Sequence, residues 1–199
     1  MKAALSTTTT IYDNKNQKAG SLYSQKGSFV ELSQISPNIQ DAVIATEDRT
    51  FYKNPGFSVK GMARAAISSV IHHGIVGGGS TLTQQLAKNA LLTQKQTFSR
   101  KLEELFFAIE INRVYSKKDI LTMYLNNAYF GNGVWGVQDA AKRYFDCDAA
   151  DLTVPQAATL AGMLTSPGIY DPVTHPNATK QRRNLVLQLM VENHQLSQT

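Results

Sequence analysis

Arg100, Lys101 and Glu104 fall inside an otherwise apolar stretch, FSRKLEELFFAIEINR, at 98–113. Wound as a helix, positions i, i+3 and i+4 share a face, so the three charges meet. The simplest account is an i/i+4 ion pair between Arg100 and Glu104 contributing about 0.3–0.5 kcal/mol. A second carboxylate supplies a contrast. Glu47 lies four residues after Val43, on the edge of an apolar helical stripe with no cation at helical spacing, whereas Asp48 points roughly the opposite way. Apolar neighbours favour the protonated form of an acid and adjacent cations favour the ionised form. Two acids in unlike settings are how one site obtains a base and an electrostatic stabiliser. Between them Gly77, Gly78 and Gly79 lead into a helix N-terminus, where backbone N–H groups suit an anion. The run lacks the Gly-Lys-Ser/Thr of a nucleoside-triphosphate loop. The residues outline group transfer from a phosphorylated donor.

These groups need elements to hold them. Phe98, Leu102, Leu105, Phe106 and Ile109 make one stripe at 98–113, and Phe107, Ala108 and Ile111 continue the apolar surface round the other side. That pattern predicts a buried helix around which the chain is organised. Residues 7–23 alternate weakly about a turn-rich Asp13-Asn14-Lys15-Asn16, as in a short hairpin or an extended linker. Ser36-Pro37 reads as a cap and first-turn proline for a helix through Ile39, Ala42, Val43 and Thr46. A further helix is expected over 58–73, stopped by Gly74. Thr81 with Gln84 has capping-box spacing, as does Ser116 with Asp119, and Thr153 to Gln156 encloses a first-turn Pro155. Asn126 and Asn127 end one helix, a tight loop spans 131–136, Val137 to Tyr144 restarts helical periodicity, and a last helix begins near Asn177. The predicted fold class is mainly α.

At 199 residues, 42% hydrophobic and 18% charged, the chain can bury one good core and reads as a single domain. A net charge of +5 favours an anionic partner without choosing among nucleic acid, membrane surface and phosphorylated substrate. The lone Cys147 excludes an internal disulfide. No 18-residue apolar run is present, and Met1 to Leu5 breaks at once into Ser6 and four threonines, unlike an export signal. A protein of this sequence working outside the cell would have lost its export segment. His72, His73, His175 and His194 have no metal-like spacing.

Five segments in order, EDRTF (47–51), GGSTLTQQLAKN (78–89), RKLEE (100–104), ILTMYLN (120–126) and QAATLAGMLTSPGIYDP (156–172), resemble the motifs of the peptidoglycan glycosyltransferase domain of class A penicillin-binding proteins and monofunctional transglycosylases. The resemblance spans about 28–196. It implies a division into 1–27, linker or hairpin, and 28–199, glycosyltransferase domain. The implied architecture is a lysozyme-like helical lobe beside a smaller, mobile, membrane-facing lobe. The implied reaction is polymerisation of lipid II, with undecaprenyl pyrophosphate expelled and the anomeric centre inverted. By motif position Glu47 is the expected general base and Glu104 the second essential carboxylate. Asp48, Arg49, Ser80, Thr83, Gln84, Lys88, Asn89, Arg100 and Lys101 are the expected substrate-binding residues, Lys88, Arg100 and Lys101 at the pyrophosphate and Arg49 beside Glu47. No organic cofactor is implied; a divalent cation, Mg or Mn, is the one candidate, with Glu104 ordering either basic groups or that cation around the pyrophosphate. The implied partners are lipid II, the nascent glycan strand, a membrane surface and a C-terminal transpeptidase domain, with no nucleic acid. The implied location is the outer face of the bacterial cytoplasmic membrane, with an N-terminal anchor that this chain lacks. Asn54 stands where many members have histidine, and Gln96, beside Lys95, where many have arginine. Paired carboxylates also serve glycoside hydrolysis, so a lysozyme-like glycan hydrolase is the competing enzyme class. A nucleic-acid or anionic-lipid binder is disfavoured because the basic residues are dispersed and the aromatics follow core periodicities.

Overall fold

A computed structural model of the chain describes residues 9–12, 18–22, 27–63, 79–91 and 98–197. The C-terminal part of the helix expected over 58–73, with His72, His73 and Gly74, lies outside the described residues, as do Gly77, Gly78, Lys95 and Gln96. The described chain is mainly α. Strands β1 (Thr9–Tyr12) and β2 (Lys18–Leu22) pair antiparallel, with a register irregularity between Ile11 and Tyr12. Seven helices follow: α1 (Pro37–Glu47), α2 (Leu82–Leu91), α3 (Phe98–Val114), α4 (Lys117–Asn127), α5 (Val137–Phe145), α6 (Val154–Leu164) and α7 (Pro176–Glu192). A helical segment also begins at 59–63.

The start signals act as read. Ser36 Oγ accepts from Asn38 N at 3.3 Å ahead of first-turn Pro37, satisfying one of the donors a helix leaves open. Ser116 with Asp119 and Thr153 with Gln156 form reciprocal capping boxes at the heads of α4 and α6. Asp146, in the left-handed conformation at φ 51°, ends α5.

The core is organised around α6, not around 98–113. Every residue from 157 to 163 is buried there. Ala157, Ala158, Ala161 and Gly162 present little bulk, so α1 and α7 can pack closely on either side. Leu160 and Met163 add about 1.5–3 kcal/mol each by full burial. Ile39, Ala42 and Val43 of α1 and Val186 and Met190 of α7 complete the contact.

Helix α3 departs from expectation. Leu102, Phe106 and Ile109 are 54%, 62% and 40% exposed, so the stripe predicted to be buried faces outward. The face turned inward carries Glu104 and Ala108, both buried, and packs on α2. Helical periodicity establishes which side chains share a face; what that face meets is decided by tertiary neighbours.

The region before α2 is pinned by a close backbone approach. A Cβ at Gly61 would sit 2.4 Å from Gly79 O, and one at Gly79, whose φ is +125°, would sit 2.6 Å from Gly61 O. Only glycine fits both positions.

Candidate active site

Glu47 is the last residue of α1 and is half-buried. Its Oε2 accepts from Gln85 Nε2 at 2.8 Å and its Oε1 from Thr165 Oγ1 at 3.2 Å. The apolar setting expected for Glu47 is therefore corrected: two neutral donors grip the carboxylate, one on each oxygen. Gln85 is oriented in turn by Tyr124, whose hydroxyl donates to Gln85 Oε1 at 3.0 Å. Burial, and then the negative charge of Glu47, push the Tyr124 phenol well above 10, so it stays protonated and able to donate.

Asp48 turns away from Glu47, as the helical spacing required, and caps α2. Its Oδ2 accepts from Leu82 N at 3.1 Å and from Asn54 Nδ2 at 3.0 Å; its Oδ1 accepts from Asn54 Nδ2 at 2.9 Å and Thr50 Oγ1 at 3.3 Å. The carboxylate favoured by the helix N-terminus thus comes from the protein itself. Thr81 and Gln84 close the same end reciprocally, Thr81 N to Gln84 Oε1 at 3.0 Å and Gln84 N to Thr81 Oγ1 at 3.2 Å. Asp48 and the Thr81–Gln84 pair thus occupy the amides of residues 81, 82 and 84, while Gly77 and Gly78 of the glycine turn expected to hold an anion lie outside the described residues.

Asn54, where a histidine was the family expectation, is buried. Its Oδ1 accepts from Gly56 N at 3.0 Å and from Lys117 Nζ at 3.2 Å, and Lys117 sits 4.8 Å from the centre of the Phe51 ring. Burial lowers the Lys117 ammonium from its ordinary value while Asp48 opposes that shift. These contacts make Asn54 a bridge between Asp48 and Lys117.

The charged cluster of α3 assembles as spacing required. Glu104 is only 1% exposed. Its Oε2 lies 3.4 Å from Arg100 Nη1, and its Oε1 accepts from Lys101, whose ammonium also donates to Ser80 Oγ at 2.7 Å. A buried carboxylate is tolerable because both oxygens meet cations. A divalent cation prefers several oxygen ligands, and Glu104 offers one carboxylate already committed to two positive groups. The cation expectation does not fit this arrangement. Among the described residues no three His, Cys, Asp or Glu side chains converge as a metal site.

The remaining candidates separate. Thr83 and Gln84 are buried within α2, and Thr83 Oγ1 is buried without a hydrogen-bond partner among the described residues. Lys88 and Asn89, farther along α2, are exposed. Arg49 pairs with Glu192 of α7 at 3.7 Å, on a face where Lys53, Tyr52, Asn193 and Gln195 help line a cavity of about 170 Å³. Residues 80–85 therefore tie the two carboxylates together, Ser80 reaching the Glu104 cluster and Gln85 reaching Glu47. The sequence reading missed Gln85, Tyr124, Thr165 and Arg182, which surround Glu47. Gln85 carried a local signal, since it follows Gln84 in a polar turn; Thr165 lies 118 residues from Glu47 and carried none.

A family model described as Transglycosylase matches residues 14–191. The chain is 54% identical over 191 residues to penicillin-binding protein 2a of Streptococcus pneumoniae, covering 96% of this chain and 26% of that protein. It is 40% identical over 196 residues to penicillin-binding protein 1F of Bacillus subtilis, covering 98% and 28%. It is 42% identical over 182 residues to penicillin-binding protein 1A of Aquifex aeolicus, covering 92% and 25%. The chain thus spans about a quarter of the length of these curated relatives. The crystal structure of penicillin-binding protein 1A from Haemophilus influenzae aligns at a TM-score of 0.48 and 20% identity, over 98% of this chain and 19% of that one. With the family model running from residue 14 to 191 and a relative sharing more than half of the aligned residues, the chain belongs to the transglycosylase family.

Proposed function

We propose that the chain is a peptidoglycan glycosyltransferase that polymerises lipid II. Membership of the transglycosylase family supports glycosyl transfer, and the relatives' names supply the peptidoglycan context. In this reading the 4-hydroxyl oxygen of the acceptor sugar bonds to the anomeric carbon of the lipid-linked donor. Its proton passes to Glu47, and the bond from that carbon to the diphosphate oxygen breaks with both electrons leaving on undecaprenyl pyrophosphate. Attack opposite the leaving group inverts the centre. Glu47 is suited to the proton because it is half-buried and held by neutral donors, which fix its position without neutralising it. Arg100, Lys101 and exposed Lys88 supply fixed positive charge for the departing diphosphate, with Ser80 and Glu104 orienting Lys101. The proposal assigns Asp48 and Gln84 to holding α2 in place and Asn89 to the substrate side.

The observation that carries the reading is that residues 80–85 join a proton acceptor to a cationic cluster within one turn of chain. The cations also favour transfer over hydrolysis of finished glycan, which releases no diphosphate. Incubation with lipid II tests it: Glu47→Gln keeps the native melting temperature and makes no glycan polymer. Polymer formed by that variant, or muropeptides released from finished peptidoglycan by the wild type, would overturn it.

Substrate and location follow as parts of the same proposal. The lipid-linked donor places the chain at the outer face of the cytoplasmic membrane, and in a longer protein a transpeptidase domain would act on the same strand. None of the helices among the described residues is long and apolar enough to cross a membrane. The outward stripe of Leu102, Phe106 and Ile109, with exposed Val59 and Met62, offers the apolar surface such a location calls for.

A further inference from the structure

We infer that Thr165 and Arg182 are positioning residues for Glu47, forming a relay from α7 that fixes the direction in which the carboxylate accepts a proton. The inference rests on the reading of Glu47 as the base. Arg182 Nη2 donates to Thr165 Oγ1 at 2.6 Å, and Thr165 Oγ1 lies 3.2 Å from Glu47 Oε1. A hydroxyl has one proton. Because the guanidinium can only donate, it occupies a lone pair of Oγ1 and leaves the hydroxyl proton to Glu47. The opposite oxygen is treated alike: Tyr124 donates to Gln85 Oε1, so the amide must present its NH₂ to Glu47.

Arg182 itself is held. Its guanidinium lies 5.5 Å from the centre of the Tyr170 ring. Its stem crosses α6 where residue 162 has no side chain; a Cβ at Gly162 would sit 2.9 Å from Arg182 Cγ. The glycine in α6 therefore leaves the space the arginine stem runs through. One hydroxyl separates the cation from the carboxylate. The interposed Thr165 lets the cation orient the carboxylate without pairing with it directly. The titratable and charged groups set against Glu47 are Tyr124 from α4, whose phenol feels its charge, and Arg182 from α7, acting through Thr165; α2 contributes neutral Gln85, and its Lys88 is solvent-exposed.

The test is the steady-state kinetics of lipid II polymerisation by the full chain. Thr165→Val should lower kcat about 10- to 100-fold, the scale of a misplaced reacting group, with KM within about twofold. Thr165→Ser, which keeps the hydroxyl, should restore kcat. Arg182→Met should add little on top of Thr165→Val, since the two act through one hydrogen bond. If Arg182→Met fails to fold, the valine and serine variants carry the test alone. An inactive Glu47→Gln together with an unchanged kcat in Thr165→Val overturns the relay and leaves the base assignment standing. An active Glu47→Gln overturns both.

Discussion

Four hydrogen-bond donations reach the two oxygens of Asp48 from a backbone amide, an asparagine and a threonine, which makes this buried side chain the joint between the end of α1 and the head of α2. Removing it strands Leu82 N and Asn54 Nδ2 away from water, at a cost of about 3 kcal/mol. For a chain of this size Asp48→Ala should lower Tm by roughly 6–12 °C in calorimetry; an unchanged Tm would show that the joint carries no load. At this scale sequence spacing recovered what is local. Arg100, Lys101 and Glu104 meet because they are three and four residues apart, and Asp48 and Glu47 diverge because they are adjacent. Leu82 is 34 residues from Asp48 and Gln85 is 38 from Glu47, so those contacts are set by how helices pack and leave no periodic trace.

Helices α1, α4 and α6 begin where their caps place them, since a cap is a hydrogen bond between neighbours in sequence. The error over α3 has the same origin read in reverse. Its apolar residues outnumber what its packed face needs, and the surplus is displayed. Phe106→Ser should therefore leave Tm within about 1 °C, since an exposed side chain contributes little to the core. The same change should weaken sedimentation with anionic phospholipid vesicles, where burying a phenylalanine is worth about 1.5–3 kcal/mol. Undiminished vesicle binding would assign the stripe to another partner.

Across the whole molecule, loops tie the packed helices together, and one tie is acid-sensitive. Asp171 is buried beneath the loop at 131–136. Burial alone would raise its carboxyl, but donors from Asn132, Val173 and Thr174 together hold it below its ordinary 3.8. A carboxyl depressed in the folded state contributes stability that is present above its unfolded value and lost as pH falls through the folded one. Stability should therefore decline below about pH 4, and Asp171→Asn should flatten that decline in urea titrations at pH 3 and pH 6; parallel declines in both proteins would exclude Asp171 as the sensor. The mainly helical class was readable because one stretch of helical periodicity follows another along the chain, several of them opened by caps, and only residues 7–23 alternate. The central place of α6 was less so, since a run of alanines announces closeness of packing without saying to what. The touching backbones of Gly61 and Gly79 carry a separate consequence. They bring into contact two backbones far apart in sequence, immediately ahead of α2. A side chain added at either glycine would pry that contact open and shift the head of α2, so the seating of Leu82 on Asp48 and of Gln85 on Glu47 depends on two residues that carry no functional group of their own.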